Sequence, residues 1–294
     1  MRKITKEITQ QILNIYASGS TNGIKKPTLK LLRNREILDS DDKLTDEGRV
    51  YAISKMPLTK QCSELSLKHK TIELSYEGKP EPALLAYYES LGYTGISSEG
   101  VGISIILKAL MLDKLSEYNF LHSRSDACSR YLAAQLVILN NRTDEIISSI
   151  LSVSKEKYLN NFKEIINDHF IASWFPPIPV EFATAMYEAI DLKLFVAIAQ
   201  KMSEDPYTYR KGWPDLTLTK GREVLFVEVK TKDKLHDSQI ITIPAMQKIT
   251  PFAFLICKVN KPSLEQPESK FVPGCKRCPK SGEISFSKGI SEKG

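Results

Sequence analysis

Gly212-Trp213-Pro214-Asp215-Leu216-Thr217-Leu218-Thr219, then Lys220-Gly221-Arg222-Glu223, then Val224-Leu225-Phe226-Val227-Glu228-Val229-Lys230 is the stretch that decides the fold. Leu216 to Thr219 alternates apolar and polar residues, a glycine-containing turn follows, and the second run is rich in β-formers. The pattern predicts a β-hairpin. Asp215 enters its first strand and Glu228 lies near the end of its second, so the turn brings the two carboxylates to the same end. Glu228 and Lys230 are two apart on one strand and leave the same face. A hard cation such as Mg²⁺ or Mn²⁺ takes oxygen ligands, usually one or two carboxylates with waters and phosphate oxygens. Asp215 and Glu228 supply that pair, with the Val229 carbonyl as a third oxygen. A lysine beside the ion, Lys230, can stabilise negative charge developing on a phosphorane.

Downstream, Ser238 to Ile249 reads as a helix despite Pro244, and Phe252 to Val259 as a buried strand. Upstream, a helix runs from Pro82 to Leu91 and stops at Gly92. A second opens after Glu99-Gly100 and runs through Met111. From there to about residue 200 the periodicity is helical, with a break at Trp174-Phe175-Pro176-Pro177-Ile178-Pro179. Strands following helices give an α/β, or more narrowly α+β, core. It is expected over 81–260, with a helical part at 81–205 and a strand-rich part at 206–260.

Residues 1–58 read as a separate helical unit. Ile8, Ile12, Leu13 and Tyr16 recur at helical spacing, and a short basic helix begins near Pro27. Glu36-Ile37-Leu38, the polar turn Asp39-Ser40-Asp41-Asp42-Lys43 and the helix opened by Leu44-Thr45-Asp46 resemble a winged-helix domain. Its basic residues Lys25, Lys26, Lys30, Arg33 and Arg35 would face phosphates; the competing reading is a protein-docking bundle with a solvated basic face. Residues 59–80 read as a linker containing a strand, and 261–294 as a loose basic tail. In that tail Cys275 and Cys278 form half of a zinc site without its second pair.

The motifs together resemble a family. Tyr209-Arg210-Lys211-Gly212-Trp213-Pro214-Asp215-Leu216, Val227-Glu228-Val229-Lys230, Asp233-Lys234-Leu235 and Gln239 are similar to the VRR-NUC branch of the PD-(D/E)XK nucleases. Ala86-Tyr87-Tyr88, Leu91-Gly92-Tyr93 and Glu99-Gly100 opening an apolar helix are similar to the Fanconi-associated nuclease type within it. The resemblance is dense at 83–112 and 207–259. It implies a restriction-endonuclease-like core with a helical insertion, and a metal-dependent deoxyribonuclease using Mg²⁺ or Mn²⁺. It implies Asp215, Glu228 and Glu99 as metal or water carboxylates, Lys230 as the catalytic lysine and Gln239 as a support without a catalytic step. It also implies 5′-flap or branched DNA, 5′-to-3′ exonuclease action and a role in repair. Thr231-Lys232 replaces the family's glycine-proline, and His236 stands where a serine is usual; both fall on a substrate-side loop.

Glu188 is the rival to Glu99, because compact members carry a helical glutamate shortly before the aspartate; the glycine and tyrosines beside Glu99 favour it. Arg210 and Lys211, ahead of the metal turn, are the preferred phosphate contacts, with Lys232 and Lys234 after it and Arg124 and Arg130 further off. The composition, 42% hydrophobic and 26% charged, excludes a disordered or fibrous chain. No apolar run is long enough for a membrane span, the start lacks a secretion signal, and five cysteines form no disulfide framework. A reducing, cytoplasmic setting is expected. A net charge of +6 suits a polyanionic partner, here DNA. The same metal site would equally serve a restriction or phage-type endonuclease, and a winged-helix binding protein with an inert core is the non-enzymatic alternative.

Overall fold

In the computed structural model the described residues are 4–262 apart from His122 and Pro176, so Cys275, Cys278 and nearly all of the expected tail lie outside them. Among the described residues no helix is long and apolar enough to cross a membrane.

Four helices come first: α1 (Lys6–Ser18), α2 (Lys26–Arg33), α3 (Asp46–Lys55) and α4 (Leu58–Glu64). Strand β1 (Lys68–Glu73), helix α5 (Pro80–Ser90) and strand β2 (Thr94–Ser97) follow. A helical block is then inserted: α6 (Val101–Glu117), α7 (Arg124–Ser129), α8 (Leu132–Ile138), α9 (Thr143–Ser148) and α10 (Lys155–Ile166). It continues with α11 (His169–Trp174), α12 (Val180–Ala189), α13 (Leu192–Glu204) and α14 (Pro206–Tyr209). The chain ends its core with β3 (Leu216–Lys220), β4 (Glu223–Lys230), α15 (Asp237–Ile249) and β5 (Ala253–Asn260).

The five strands form one mixed sheet in the order β1-β5-β4-β3-β2. β3 pairs antiparallel with both β4 and β2, whereas β4 and β1 flank β5 in parallel. β4 is therefore central and covered on both faces, which is why it reads as a continuous apolar run rather than an alternation. Leu225, Val227 and Val229 pack with Leu84 and Tyr88 of α5. Val224 and Phe226 join the large core shared with α6, α12, α13 and α15. Pro244 sits inside α15 as the sequence pattern requires.

Three expectations change. The segment 59–80 is no linker: it holds α4, with Gln61 and Cys62 buried, besides the expected strand, which is β1 at the edge of the sheet. Its sequence Lys68-His69-Lys70-Thr71-Ile72-Glu73 is exposed along nearly its whole length, so the apolar alternation that announces a strand is missing, as is common on protected edges. The short β2, hidden before the Glu99 turn, was not expected as a strand, and α6 continues past Met111 to Glu117.

The N-terminal elements are three helices with a short bridge before α3. Leu38 and Leu44 form an antiparallel bridge around the polar turn, and the Thr45 hydroxyl accepts from the Gly48 N–H to cap α3. Ile12, Ile15, Leu32, Ile37, Leu38 and Ala52 make a small core of their own. Yet Ile53 and Met56 belong to the large core, and the Gln61 side chain accepts from the Leu235 N–H at 2.9 Å. Helix α3 and its successor are thus packed into the body of the molecule.

Candidate active site

The β3–β4 register pairs Leu216 with Val227 and Lys220 with Glu223. Carried one step further, it sets Asp215 across from Glu228. Asp215 Oδ2 accepts a hydrogen bond from the Val229 N–H at 2.7 Å, which fixes its aim. Glu228 and Lys230 leave the same face, 1% and 3% exposed, with Lys230 Nζ 2.9 Å from Glu228 Oε1. Gln239, in the first turn of α15, donates to that same Oε1 at 2.6 Å. Gln239 is in turn held by the His236 N–H, 2.9 Å from its Oε1, so it fixes the Glu228 carboxylate. Lys230 also reaches Asp233 Oδ2 at 3.1 Å.

These residues line a cleft of about 490 Å³ together with Glu81, Glu99, Arg210 and Lys211. Gly212 makes the entry turn possible: its φ is 76°, and a Cβ there would lie 2.1 Å from the Ser238 carbonyl oxygen. Gly100, at φ 84°, would likewise drive a Cβ to 2.7 Å from the side chain of Trp213. The glycine after Glu99 is therefore a packing requirement, since it lets the Glu99 turn lie against Trp213 beside the Asp215 turn.

Electrostatically the cleft is short of positive charge. Burial, partly relieved by the Val229 N–H and aggravated by Glu81 and Glu99, raises the Asp215 carboxyl to about 6. Burial and then Asp215 raise Glu228 to about 8, against the opposing pull of Lys230 and Gln239. Burial disfavours the Lys230 ammonium, but Glu228 and Asp233 outweigh it and hold its pKa above the ordinary lysine value. Oε2 of Glu228 and Oε2 of Glu81 are buried with no hydrogen-bond partner. Orphaned carboxylate oxygens beside a cleft are what a bound cation would satisfy. Among the described residues no three His, Cys, Asp or Glu side chains are gathered tightly enough to chelate an ion alone. The donor set fits Mg²⁺ or Mn²⁺ held by one or two carboxylates and completed by water and phosphate oxygens.

Glu99 lies on the cleft wall, exposed, at φ 44°, a left-handed conformation that costs an L-residue roughly 1–2 kcal/mol. It is not the helix cap, since the Ser98 hydroxyl takes the Gly102 N–H. Glu188 is elsewhere, on the exposed face of α12 in an ion pair with Lys155. Glu81 was missed. Its signal was present in the sequence: Glu81, Leu84 and Tyr88 follow a helical i, i+3, i+7 spacing, which sets a carboxylate on the buried face of α5.

Of the expected phosphate contacts, Arg210 and Lys211 are on the cleft wall. Lys234 is not: its ammonium donates to the Lys55 carbonyl at the end of α3, where the helix dipole favours a cation. Lys232 is exposed outside the cleft. Arg33 is held by Asp42 of the polar turn at 2.6 Å, so it braces the wing-like loop; Lys30 is exposed and Arg35 half-buried. Arg124 is spent on Asp113, Glu164 and Asn161, and Arg130 on Asp126.

The architecture is a FAN1-like nuclease fold. It superposes on the crystal structure of paFAN1 bound to 5′-flap DNA with a two-nucleotide flap and a gap, at a TM-score of 0.50 and 16% identity. That match covers 87% of this chain and 49% of paFAN1, so the chain spans about half the length of the protein it resembles. paFAN1 bound to one-nucleotide 5′-flap DNA with a gap matches at a TM-score of 0.48 and 15% identity, over 86% and 49% of the two chains. No family model matches the chain, and no curated protein is similar to it in sequence. What is shared is the fold; the VRR-NUC placement rests on the motifs.

Proposed function

We propose that the chain is a metal-dependent nuclease that hydrolyses DNA phosphodiesters, acting on 5′-flap or branched DNA with 5′-to-3′ exonuclease action in repair. The observation that carries this reading is the cleft itself. Two facing carboxylates are pushed toward neutrality, with an orphaned oxygen on Glu228 and a buried lysine alongside. A purely structural cluster of this kind would be costly, since a buried carboxylate oxygen without a partner destabilises the fold unless something pairs with it.

A bound Mg²⁺ or Mn²⁺ would polarise the phosphate and lower the pKa of water. Asp215 and Glu228 would hold it, with the Val229 carbonyl and Glu99 or Glu81 completing the protein's share. The Val229 N–H fixes the Asp215 carboxylate, and Gln239 fixes Glu228, so neither must be reorganised when substrate arrives. Lys230 presents its ammonium to the phosphate oxygens that gain charge. Arg210 and Lys211 hold the flanking phosphates. Lys25, Lys26 and Lys30, exposed on and beside α2, extend the grip to duplex away from the cleft, with Arg33 and Arg35 behind them.

The flap preference draws on the fold shared with paFAN1, which was crystallised on 5′-flap DNA. Purified protein should be incubated with a labelled 5′-flap, a blunt duplex and supercoiled plasmid, in Mg²⁺, Mn²⁺ or EDTA. Cutting of the flap that stops in EDTA is the expected result. Cutting of plasmid and duplex in preference to the flap would favour the restriction-type reading, and no cutting in either metal would end the nuclease reading. Replacing Lys25, Lys26 and Lys30 by glutamine should lower the salt slope of duplex binding by about 1 for each lysine that touches a phosphate; an unchanged slope removes the N-terminal grip.

A further inference from the structure

A row of uncovered aromatic side chains leaves the cleft and runs across the helical block. Arg210, which lines the cleft, leads into it. Its guanidinium sits 5.4 Å from the ring centre of Tyr207 and 5.8 Å from that of Tyr131. Tyr131 meets Phe170 edge to face, with ring centres 6.1 Å apart and planes at 81°. Phe170 meets Trp174 at 6.3 Å. All four rings are exposed, and Trp174 is 69% exposed. They come from three places in the sequence, α14, the residue before α8 and α11, which supplies two, so the row is a product of the tertiary fold rather than of one amphipathic helix.

The chemistry of the row suits one partner. Large planar rings left in water are unusual unless something covers them. A guanidinium interleaved among them adds positive charge and a second flat stacking surface. Centre-to-centre spacings near 6 Å leave no room for a base between neighbouring rings, so each ring offers an outer face. Stacking on such faces tolerates any base, and with a basic lead-in it is the way proteins hold unpaired strands without reading sequence. The row is also continuous with the proposed site: Arg210 and Lys211 line both the cleft and a neighbouring cavity of about 290 Å³ whose wall includes Tyr131 and the buried Lys108.

We propose that Tyr207, Tyr131, Phe170 and Trp174, led by Arg210, form a stacking track for the single-stranded arm of a DNA substrate as it leaves the cleft. This rests on the nuclease reading above for its direction, but its test does not require cleavage. The chain has two tryptophans. Trp213 is buried but lines the cleft, so the part of the quenching that is lost in Trp174→Phe reports occupancy of the far end of the track.

Full-length protein in EDTA should be titrated with a short oligothymidylate and, separately, with a blunt duplex of equal nucleotide count. The single strand should quench the tryptophan emission and the duplex should not. Trp174→Leu should weaken single-strand binding about 10-fold, measured by anisotropy of a labelled oligonucleotide, and Trp174→Phe should restore most of it. At a site so exposed neither substitution should move the melting temperature. Equal single-strand affinity in wild type and Trp174→Leu overturns the track. So does a Trp174-dependent dimer in sedimentation without quenching by DNA, which would make the row a self-association surface. Failure of the nuclease reading looks different: no DNA is cut in Mg²⁺ or Mn²⁺, whatever the quenching shows.

Discussion

Lys230 on β4 and Lys108 on α6 are hidden to the same degree, 3% exposed each, in two halves of one molecule. Lys230 lies between Glu228 and Asp233, and those carboxylates raise its pKa despite burial. Lys108 donates to a single backbone acceptor, the Cys128 carbonyl at 2.6 Å. Burial pulls its pKa down to about 8, and the opposing pull of Cys128 and Asp168 is too weak to offset it. The sheet half therefore gathers charges that answer one another and still lack a counter-ion. The helical half tolerates one charge that nothing neutralises. Burial alone does not identify a working charge; the company it keeps does.

The sharpest way to break the contrast is to empty the sheet site. Asp215→Ala and Glu228→Ala should each reduce cleavage by at least ~10³-fold while DNA binding persists, because such groups act mainly at the transition state. Substantial Mg²⁺-dependent cutting by either variant removes the assignment. Lys230→Ala should cost at least ~10²-fold in rate with little change in affinity; weakened binding at an unchanged rate would make Lys230 a phosphate clamp. A readout without turnover comes from stability. Asp215 and Glu228 hold protons in the folded protein up to about 6 and about 8, whereas the unfolded chain releases them near 4. In EDTA the melting temperature should fall as pH rises through that window. Mg²⁺ should reverse the fall in wild type and not in Asp215→Asn. A flat profile would mean the carboxylates are already neutralised.

The hairpin and the pairing of Asp215 with Glu228 were legible because they depend on local pattern: alternation, a glycine turn, two residues on one strand face. Gln239 came from the family resemblance rather than from local pattern, and its hydrogen bond to Glu228 was not legible in the sequence. What escaped needed the third dimension. A strand was expected within 59–80, but its pairing with β5 was not, since an edge strand that buries so little of itself shows nothing of its partner. Lys234 could be placed near the site by sequence distance, yet its side chain turns to the end of α3. Arg33 belonged to a basic stripe, but its geometry matches Asp42 at 2.7 and 2.6 Å. Charge counted along a chain says nothing of which charges are already answered.

A smaller effect separates the three outlying glutamates. Glu81 and Glu99 share the cleft; Glu188 is an exposed ion-pair partner of Lys155, of the kind that contributes little. Glu99→Gln and Glu81→Gln should each lower cleavage, by about 10-fold or more, without loss of fold. Glu188→Gln should cut within about twofold of wild type. Because Glu99 is held at φ 44°, Glu99→Gly should in addition raise the melting temperature slightly, as a glycine accepts that conformation freely. Loss of activity in Glu188→Gln with normal cutting by Glu99→Gln would move the chain to the compact nucleases and remove the motif support for branched DNA.

The smallest effect tests the other side of the comparison. If Lys108 is a charge that nothing neutralises, removing it should help the fold. Its pKa near 8 against an ordinary 10.5 corresponds to about 3 kcal/mol of penalty at neutral pH, offset by about 1 kcal/mol for the lost bond to Cys128. Lys108→Met, which keeps the length and apolar stem, should then stabilise the protein by about 1–2 kcal/mol at pH 7, a rise of a few degrees in melting temperature. The sign of its pH dependence follows from the depressed pKa. Between pH 8 and 10.5 the unfolded chain binds a proton the folded one has released, so wild-type stability rises with pH there and the advantage of the variant fades. A variant less stable at pH 7 would show that the Lys108 ammonium is satisfied in its cavity beside Arg210 and Lys211, and the two buried lysines would no longer differ in kind.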